Sequence, residues 1–340
     1  GPFAVRPRLD CDLARWGWLF GRHCTARHVA ATSGLLLALN LESRRMFAEL
    51  AEEEDFGLVQ RGLLMLCTSA KGLDAEAAVA EAAHRLGLRA EVLDSAGAAK
   101  LDPDIRMSVA GAVHFPDDCH LDPARFMAAM RRRVLAKGGV IESGIGIERI
   151  ETKAGRVVAV SGGGRRFEGG QFVVAAGAWS AGLLAGVGLK LPLQAGKGYS
   201  LTLPNPPELP QLCSILTEAK VAVTPVGSSL RFAGTMEVGG LDLAVNRARV
   251  AGIMDAAGRY FPGFSPNDFA GLEPWVGLRP VSADGLPYLG RVRSLANLIV
   301  NTGHAMMGLS LAPVSGKLAA DLLAGRDPFR DIAALDPERF

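Results

Sequence analysis

Two apolar strands that each run out into small residues and then a helix constrain this 340-residue chain more than any other feature. The first is Phe172-Val173-Val174-Ala175-Ala176, followed by Gly177-Ala178-Trp179-Ser180. A continuous apolar run of this kind fits a strand buried on both faces, as in the middle of a parallel sheet. The second, Leu298-Ile299-Val300-Asn301, leads through Thr302-Gly303-His304-Ala305-Met306-Met307-Gly308 into a helix reaching about Leu323. At both strand ends the backbone is bare enough for a ligand to approach, and a helix start can meet negative charge there. A tight packing turn explains either segment alone; the shared layout is what carries weight.

Around these segments the pattern alternates between two characters. Ser33 reads as the N-cap of an amphipathic helix to about Leu50, Gly57–Cys67 as a strand, Asp74–Leu86 as a helix and Ala110–Phe115 as a strand. Asp122 with Pro123 opens a helix to Ala136, and Lys137-Gly138-Gly139 ends it before a short strand at Val140–Ser143. Strands follow at Arg156–Ser161 and Arg166–Ala176, joined by Gly162-Gly163-Gly164. Then come strands at Lys197–Leu203, Lys220–Thr224 and Leu230–Gly234, a helix at Val245–Tyr260, and a strand at Asn297–Asn301. The expected fold is α/β, α+β overall. An incomplete Rossmann-like domain (120–190 and 276–340) interleaves with a mostly antiparallel-sheet domain (1–119 and 191–275).

Composition narrows the function. A net charge of +2 argues against nucleic acid as a partner, since phosphate recognition needs dense Lys/Arg clusters. The one basic run, Arg131-Arg132-Arg133, reads as a solvated helix face. Five cysteines form no CxxC pair, so neither a metal site nor a disulfide framework is expected, and a reducing, cytoplasmic setting is. No apolar run approaches the ~20 residues of a membrane span, and no signal peptide is visible. The opening Gly1-Pro2-Phe3 suggests a trimmed product or a fragment. A mean hydropathy of +0.20 points to a large cavity or to surface that packs against something else.

Arg279 stands in the apolar stretch Trp275–Pro287. A guanidinium there is costly unless paired, and a substrate carboxylate or an internal Asp or Glu would serve equally well. His304 reads most simply as a hydrogen-bonded turn residue, and Met306 and Met307 as either core or cofactor-lining. No GxGxxG unit links a strand to a helix, no GxSxG elbow is present, and no HExxH appears.

Four stretches, in order, carry a resemblance: VVAAGAWS (Val173–Ser180), KGYSLT (Lys197–Thr202), GLRPVSADGLPYLG (Gly277–Gly290) and TGHAMMG (Thr302–Gly308). With Pro7–Trp16, Phe115–Asp118, Arg231–Glu237 and Asp336–Phe340, they make the chain resemble the D-amino-acid oxidase superfamily of flavoproteins, in the branch around the small subunit of bacterial D-amino-acid dehydrogenase. The resemblance implies FAD and oxidation of an amino acid's Cα–N bond by hydride transfer to flavin N5. The acceptor would be a quinone or the respiratory chain, with the protein cytoplasmic or peripheral at the inner membrane. The alternatives are an oxidase of glycine, sarcosine or hydroxyproline type, or an inactive fragment or a subunit needing a separate nucleotide-binding chain. It further implies that Gly177, Ala178 and Trp179 touch FAD, that Gly303, His304, Ala305, Met306, Met307, Gly308 and Leu309 lie beneath the flavin, and that Arg279 clamps the substrate carboxylate. Tyr199 would line the substrate pocket, and the backbone of Ile147 would meet adenine. Two departures stand out: the glycine loop that cradles the FAD pyrophosphate is missing, so weak FAD binding by the chain alone is expected, and Ala305 replaces a common glycine.

Overall fold

Local signals set most element boundaries in the computed structural model, which describes residues 3–340. The first part of the chain runs β1 (Phe3–Val5), α1 (Cys11–His23), α2 (Ala26–Glu53), β2 (Leu63–Cys67), α3 (Ala70–Arg85), β3 (Glu91–Asp94), α4 (Ser95–Leu101) and β4 (Gly111–Phe115). The middle runs α5 (Pro123–Ala136), β5 (Arg149–Lys153), β6 (Arg156–Gly162), β7 (Arg165–Glu168), β8 (Phe172–Val174), α6 (Ser180–Ala185) and β9 (Leu193–Leu203). The last part runs β10 (Cys213–Leu216), β11 (Val221–Val226), β12 (Ser229–Val238), α7 (Arg247–Tyr260), β13 (Trp275–Ser282), β14 (Tyr288–Val292), β15 (Leu295–Thr302) and α8 (Ala312–Leu323).

Helix α5 starts where its sequence says it should: the Asp122 carboxylate accepts from the Ala124 and Arg125 amides, and Pro123 fills the first turn. Helix α2 does not start at Ser33. Thr25 caps it, its Oγ1 accepting from His28 N at 3.2 Å, so Ser33 lies inside the helix. The opening turns, Ala26–Ser33, carry little apolar periodicity, which is why the pattern becomes visible only later. The basic run of α5 stays outside, with Arg132 bonded to Glu54 at 2.7 Å and Arg133 to Glu53 at 2.5 Å.

Three sheets result. The large one has the order β13-β9-β12-β11-β10-β2-β4-β3, with β1 beside β12. Its ladders are antiparallel except β10–β2 and β1–β12. The second sheet is β14-β15-β8, in which β15 and β8 run parallel with Val300 opposite Val174. The third is the antiparallel β5-β6-β7. One face of the large sheet buries Tyr199, Leu201, Phe232 and Val223 against Ile253, Ala257 and Tyr260 of α7. Each such large apolar side chain contributes about 1.5–3 kcal/mol when fully buried. The opposite face is the one that matters for function.

Two strand expectations need correction. Residues 140–143 form no strand: backbone in this stretch finds no ladder partner among the described residues, and Val140 is 81% exposed. The expected strand Arg166–Ala176 divides into β7 and β8 at Gly169-Gly170, and the two halves join different sheets. Strand β8 is an edge strand, so Val173 is 40% exposed rather than covered on both sides.

Candidate functional site

The two glycine-bearing strand ends lie side by side. Parallel pairing of β8 with β15 brings the Gly177 turn next to Thr302, whose Oγ1 donates to Gly177 O at 3.0 Å; Ser180 Oγ donates to Thr302 Oγ1 at 3.2 Å. Both turns need backbone that ordinary side chains avoid: φ is +55° at Gly177 and +80° at Gly303. Ala305 also takes a positive φ, +47°, and there the methyl is held in a strained conformation. The chain then makes the 3-10 turn Ala305–Met307 before α8.

Strand β13 borders both turns. His304 forms an isolated antiparallel bridge with Val281, and the Gly177–Trp179 turn packs against β13 and β9. Arg279 sits two residues before Val281, on the same face of β13. Its guanidinium makes no ion pair among the described residues; instead Nη1 donates to Thr235 O at 2.9 Å. That carbonyl is presented by a bulge in β12, where the register with β9 shifts between Gly234 and Glu237 and Thr235 takes φ +67°. Burial pulls the Arg279 pKa below its ordinary value, and the positive charge of Arg231 adds to the shift.

A glycine furrow makes room for this guanidinium. Gly198 of β9 and Gly277 of β13 are register partners. A Cβ at Gly198 would lie 2.0 Å from Arg279 Nη1, and one at Gly277 would meet the Trp275 ring at 2.3 Å. Glycines at alternate positions, Gly196 and Gly198, fall on one face of β9, and that period of two in AGKGYS is the signal that could have revealed the furrow. Arg231 reaches β9 from its other flank, donating to Ser200 Oγ at 3.0 Å, with its guanidinium 5.5 Å from the Trp275 ring centroid. Burial lowers its pKa as well, opposed by the charge of Asp122.

This sheet face walls a cavity of about 810 Å³. Leu63, Met65, Phe115, Thr224, Val226, Arg231 and Ala233 form the sheet side; Leu37, Asn40, Leu41, Arg44 and Phe47 of α2 and Met306, Leu309 and Ser310 close it opposite. Met306 is 73% exposed, whereas Met307 packs into the core beside α2 and α8. Trp179 is 52% exposed next to buried Ala178. Gly308 lies close against His304, a Cβ there reaching His304 Cβ at 3.7 Å. The His304 ring bonds Ser315 Oγ through Nε2 at 3.0 Å, and burial lowers its pKa to about 4, so it is neutral near pH 7.

One expected pocket residue falls elsewhere. Tyr199 is 1% exposed and points into the α7 core, its hydroxyl accepting from Asn246 N at 3.2 Å. Alternation along β9 causes this: Gly198 and Ser200 face the cavity side, so Tyr199 between them faces away. Ile147, expected near adenine, lies over β6 of the third sheet, where a Cβ at Gly162 would come 2.8 Å from its Cα.

Comparison with known proteins gives the same outline. The family model for FAD dependent oxidoreductases matches residues 13–322. D-amino acid dehydrogenases of Xanthobacter autotrophicus and Cereibacter sphaeroides are 32% and 33% identical over the whole chain, which covers 82% and 79% of their lengths. The crystal structure of glycine oxidase from Geobacillus kaustophilus superposes with a TM-score of 0.81 at 28% identity, over 90% of this chain and 83% of that one. A furrow, a guanidinium bonded to a carbonyl and two apposed glycine turns thus sit in a chain whose sequence matches this family almost end to end, and the protein belongs to the FAD dependent oxidoreductases.

Proposed function

We propose that the protein oxidises the Cα–N bond of an amino acid, with Arg279 as the residue that holds the substrate carboxylate. The observation that carries this reading is a half-buried guanidinium, free of any internal carboxylate among the described residues, beside the Gly303–Gly308 turn. A charge in that position is stable once an anion meets it, and a carboxylate can accept two parallel bonds from the fork. The residues also suit FAD. Gly177 has open space where a Cβ would stand, Trp179 and Met306 are large apolar groups left exposed, and Gly303 and Ala305 both take positive φ in the turn between them. Gly177, Ala178, Trp179 and the run Gly303–Leu309 would hold it, on segments 120–190 and 276–340, while 1–119 and 191–275 present the substrate wall. When bound, FAD supplies the acceptor for the hydride leaving Cα.

The protein's own part is positioning and electrostatics. Arg279 fixes the carboxylate, and the sheet face sets which side of Cα is presented. Two nearby guanidiniums disfavour an ammonium in the same site, so the bound amine gives its proton to solvent. The nitrogen lone pair can then form the C=N bond as the hydride leaves, and water converts the imino acid to a keto acid and ammonia. No side chain need act as base. We read the acceptor as a respiratory quinone, reached from a peripheral position at the membrane; no helix among the described residues is long and apolar enough to cross one.

The test is anaerobic flavin bleaching by a panel of D- and L-amino acids with FAD in excess. Bleaching by one hand of amino acid supports the reading, and bleaching only by non-amine substrates ends it. Stoichiometric hydrogen peroxide in air would replace the quinone with oxygen.

A further inference from the structure

We infer that Arg231 is a second carboxylate-binding residue and that the preferred substrates are amino acids with an acidic side chain; this rests on the amine-oxidation reading above. The two guanidiniums converge over one strand from opposite flanks. Arg279 comes from β13 and lies over Gly198, and Arg231 comes from β12 and bonds Ser200. Gly198 and Ser200 are two residues apart on one face of β9, a span of about 7 Å. Each fork can take a carboxylate of its own, so the two carboxylates of a four- or five-carbon amino diacid can meet one each.

The charge balance points the same way. Neither arginine has a carboxylate oxygen within salt-bridge distance among the described residues. Asp122 acts on Arg231 only at longer range, its oxygen being engaged by the amides that start α5. The other cations of the cavity differ: Arg89 and Arg44 share Asp117, at 2.5 and 3.8 Å. One bound carboxylate would leave one half-buried cation of the pair without an anion of its own. A second carboxylate on the substrate removes that cost, and its amide analogue does not. Arg231 lines the cavity wall, so a side chain extending from Cα into the cavity passes it.

The first arm of the test needs no flavin: thermal shift and tryptophan fluorescence of the protein titrated with glutarate or butyrate, Trp275 being in contact range of Arg231. Glutarate should bind at least about 10-fold more tightly than butyrate, and Arg231→Gln should erase the difference. Ser200→Ala, which removes only the hydroxyl steering Arg231, should narrow it while the fold is kept. The second arm compares flavin reduction by Glu with Gln and Asp with Asn, in both hands. Arg231→Gln should lower the acid-to-amide ratio of kcat/KM by about 10-fold or more, and Arg279→Lys should depress both members of each pair and keep the ratio. Equal binding of glutarate and butyrate by the wild type would overturn the inference. So would an Arg231→Gln variant that loses acids and amides by the same factor, since both arginines would then serve one carboxylate. Glutarate bound through Arg231 with no amino acid bleaching the flavin would instead support the two-carboxylate site and overturn amine oxidation.

Discussion

Replacing Gly198 by alanine tests the site more sharply than removing Arg279 itself. The added Cβ would fall 2.0 Å from Nη1 and 2.5 Å from Cζ of Arg279, a distance that no methyl and guanidinium share. Something must move, and the far end of a long side chain moves more cheaply than two hydrogen-bonded strands. Arg279 keeps its charge but loses its place over β9 and its bond to Thr235 O. A charge-assisted hydrogen bond contributes about 1.5–3 kcal/mol. Misplacing the fork should therefore cost about 2 kcal/mol of carboxylate binding, or roughly 30-fold in Kd. Stability should change little, because Gly198 has no positive φ and alanine loses less backbone entropy than glycine in a strand. The assay is substrate-dependent flavin reduction with FAD saturating, alongside thermal unfolding. An unchanged apparent Kd would refute the placement of the carboxylate at Arg279. A Tm lower by many degrees would show instead that the backbone gives way and that the furrow holds the sheet rather than the substrate.

Further expectations follow from the same geometry. Arg279→Ala should raise the apparent KM by orders of magnitude and leave the flavin absorption spectrum intact; loss of the spectrum would make Arg279 structural. Tyr199→Phe removes a hydroxyl that accepts from Asn246 N in the core, so it should cost about 1 kcal/mol in urea unfolding and leave KM alone. His304, lowered to about 4 by burial, should contribute no inflection to the rate profile between pH 5 and 8, and His304→Gln should keep the profile's shape. For Glu218, burial pushes the pKa up but the hydrogen bonds of Tyr260, Thr217 and the Thr68 amide bring it to about 2, from 4.5. A folded-state pKa below the unfolded one stabilises above the unfolded value and is lost as pH falls toward the folded one. Glu218→Gln should thus destabilise at pH 7 by about 1 kcal/mol, a figure reduced for the residue's exposure, and the deficit should shrink between pH 4.5 and 2 in urea titrations.

What could be read from the chain in advance was local. Asp122-Pro123 announces α5 because cap and first turn are both written in adjacent residues. The runs Phe172–Val174 and Leu298–Val300 announce apolar strands that run out into glycine, and those two do pair, with Phe172–Val174 at the sheet edge. Residues 140–143 have the composition of a strand, but a strand exists only with a ladder partner, and partners are not a local property. Tyr199 shows the same gap on a smaller scale. It sits within KGYSLT, between two residues that face the cavity side, and a shift of one position reverses the face. Thr235 was invisible for another reason: its role lies in a carbonyl turned by a bulge, and no side-chain pattern encodes that.

Gly198 and the lack of an acidic partner for Arg279 among the described residues are two sides of one constraint. A guanidinium that must receive a carboxylate from outside cannot be satisfied from within, so any Asp or Glu at hydrogen-bonding distance would compete with substrate for the same fork. The fold instead offers it a neutral carbonyl, Thr235 O, which takes one N–H and leaves the rest of the fork available. Such a half-satisfied cation stays in place only if its path is confined, and the confinement comes from absent atoms: with no Cβ at 198, the guanidinium lies flat across β9. Where Arg231 meets the same strand the confining group is a hydroxyl, Ser200 Oγ, again neutral and again leaving donors unused. Burial acts against both charges, and the charge of Arg231 adds to the cost at Arg279. Two cations held close with no carboxylate at salt-bridge distance among the described residues are a cost to the resting protein that an incoming anion relieves, which is why the substrate's own charge should decide what this site accepts.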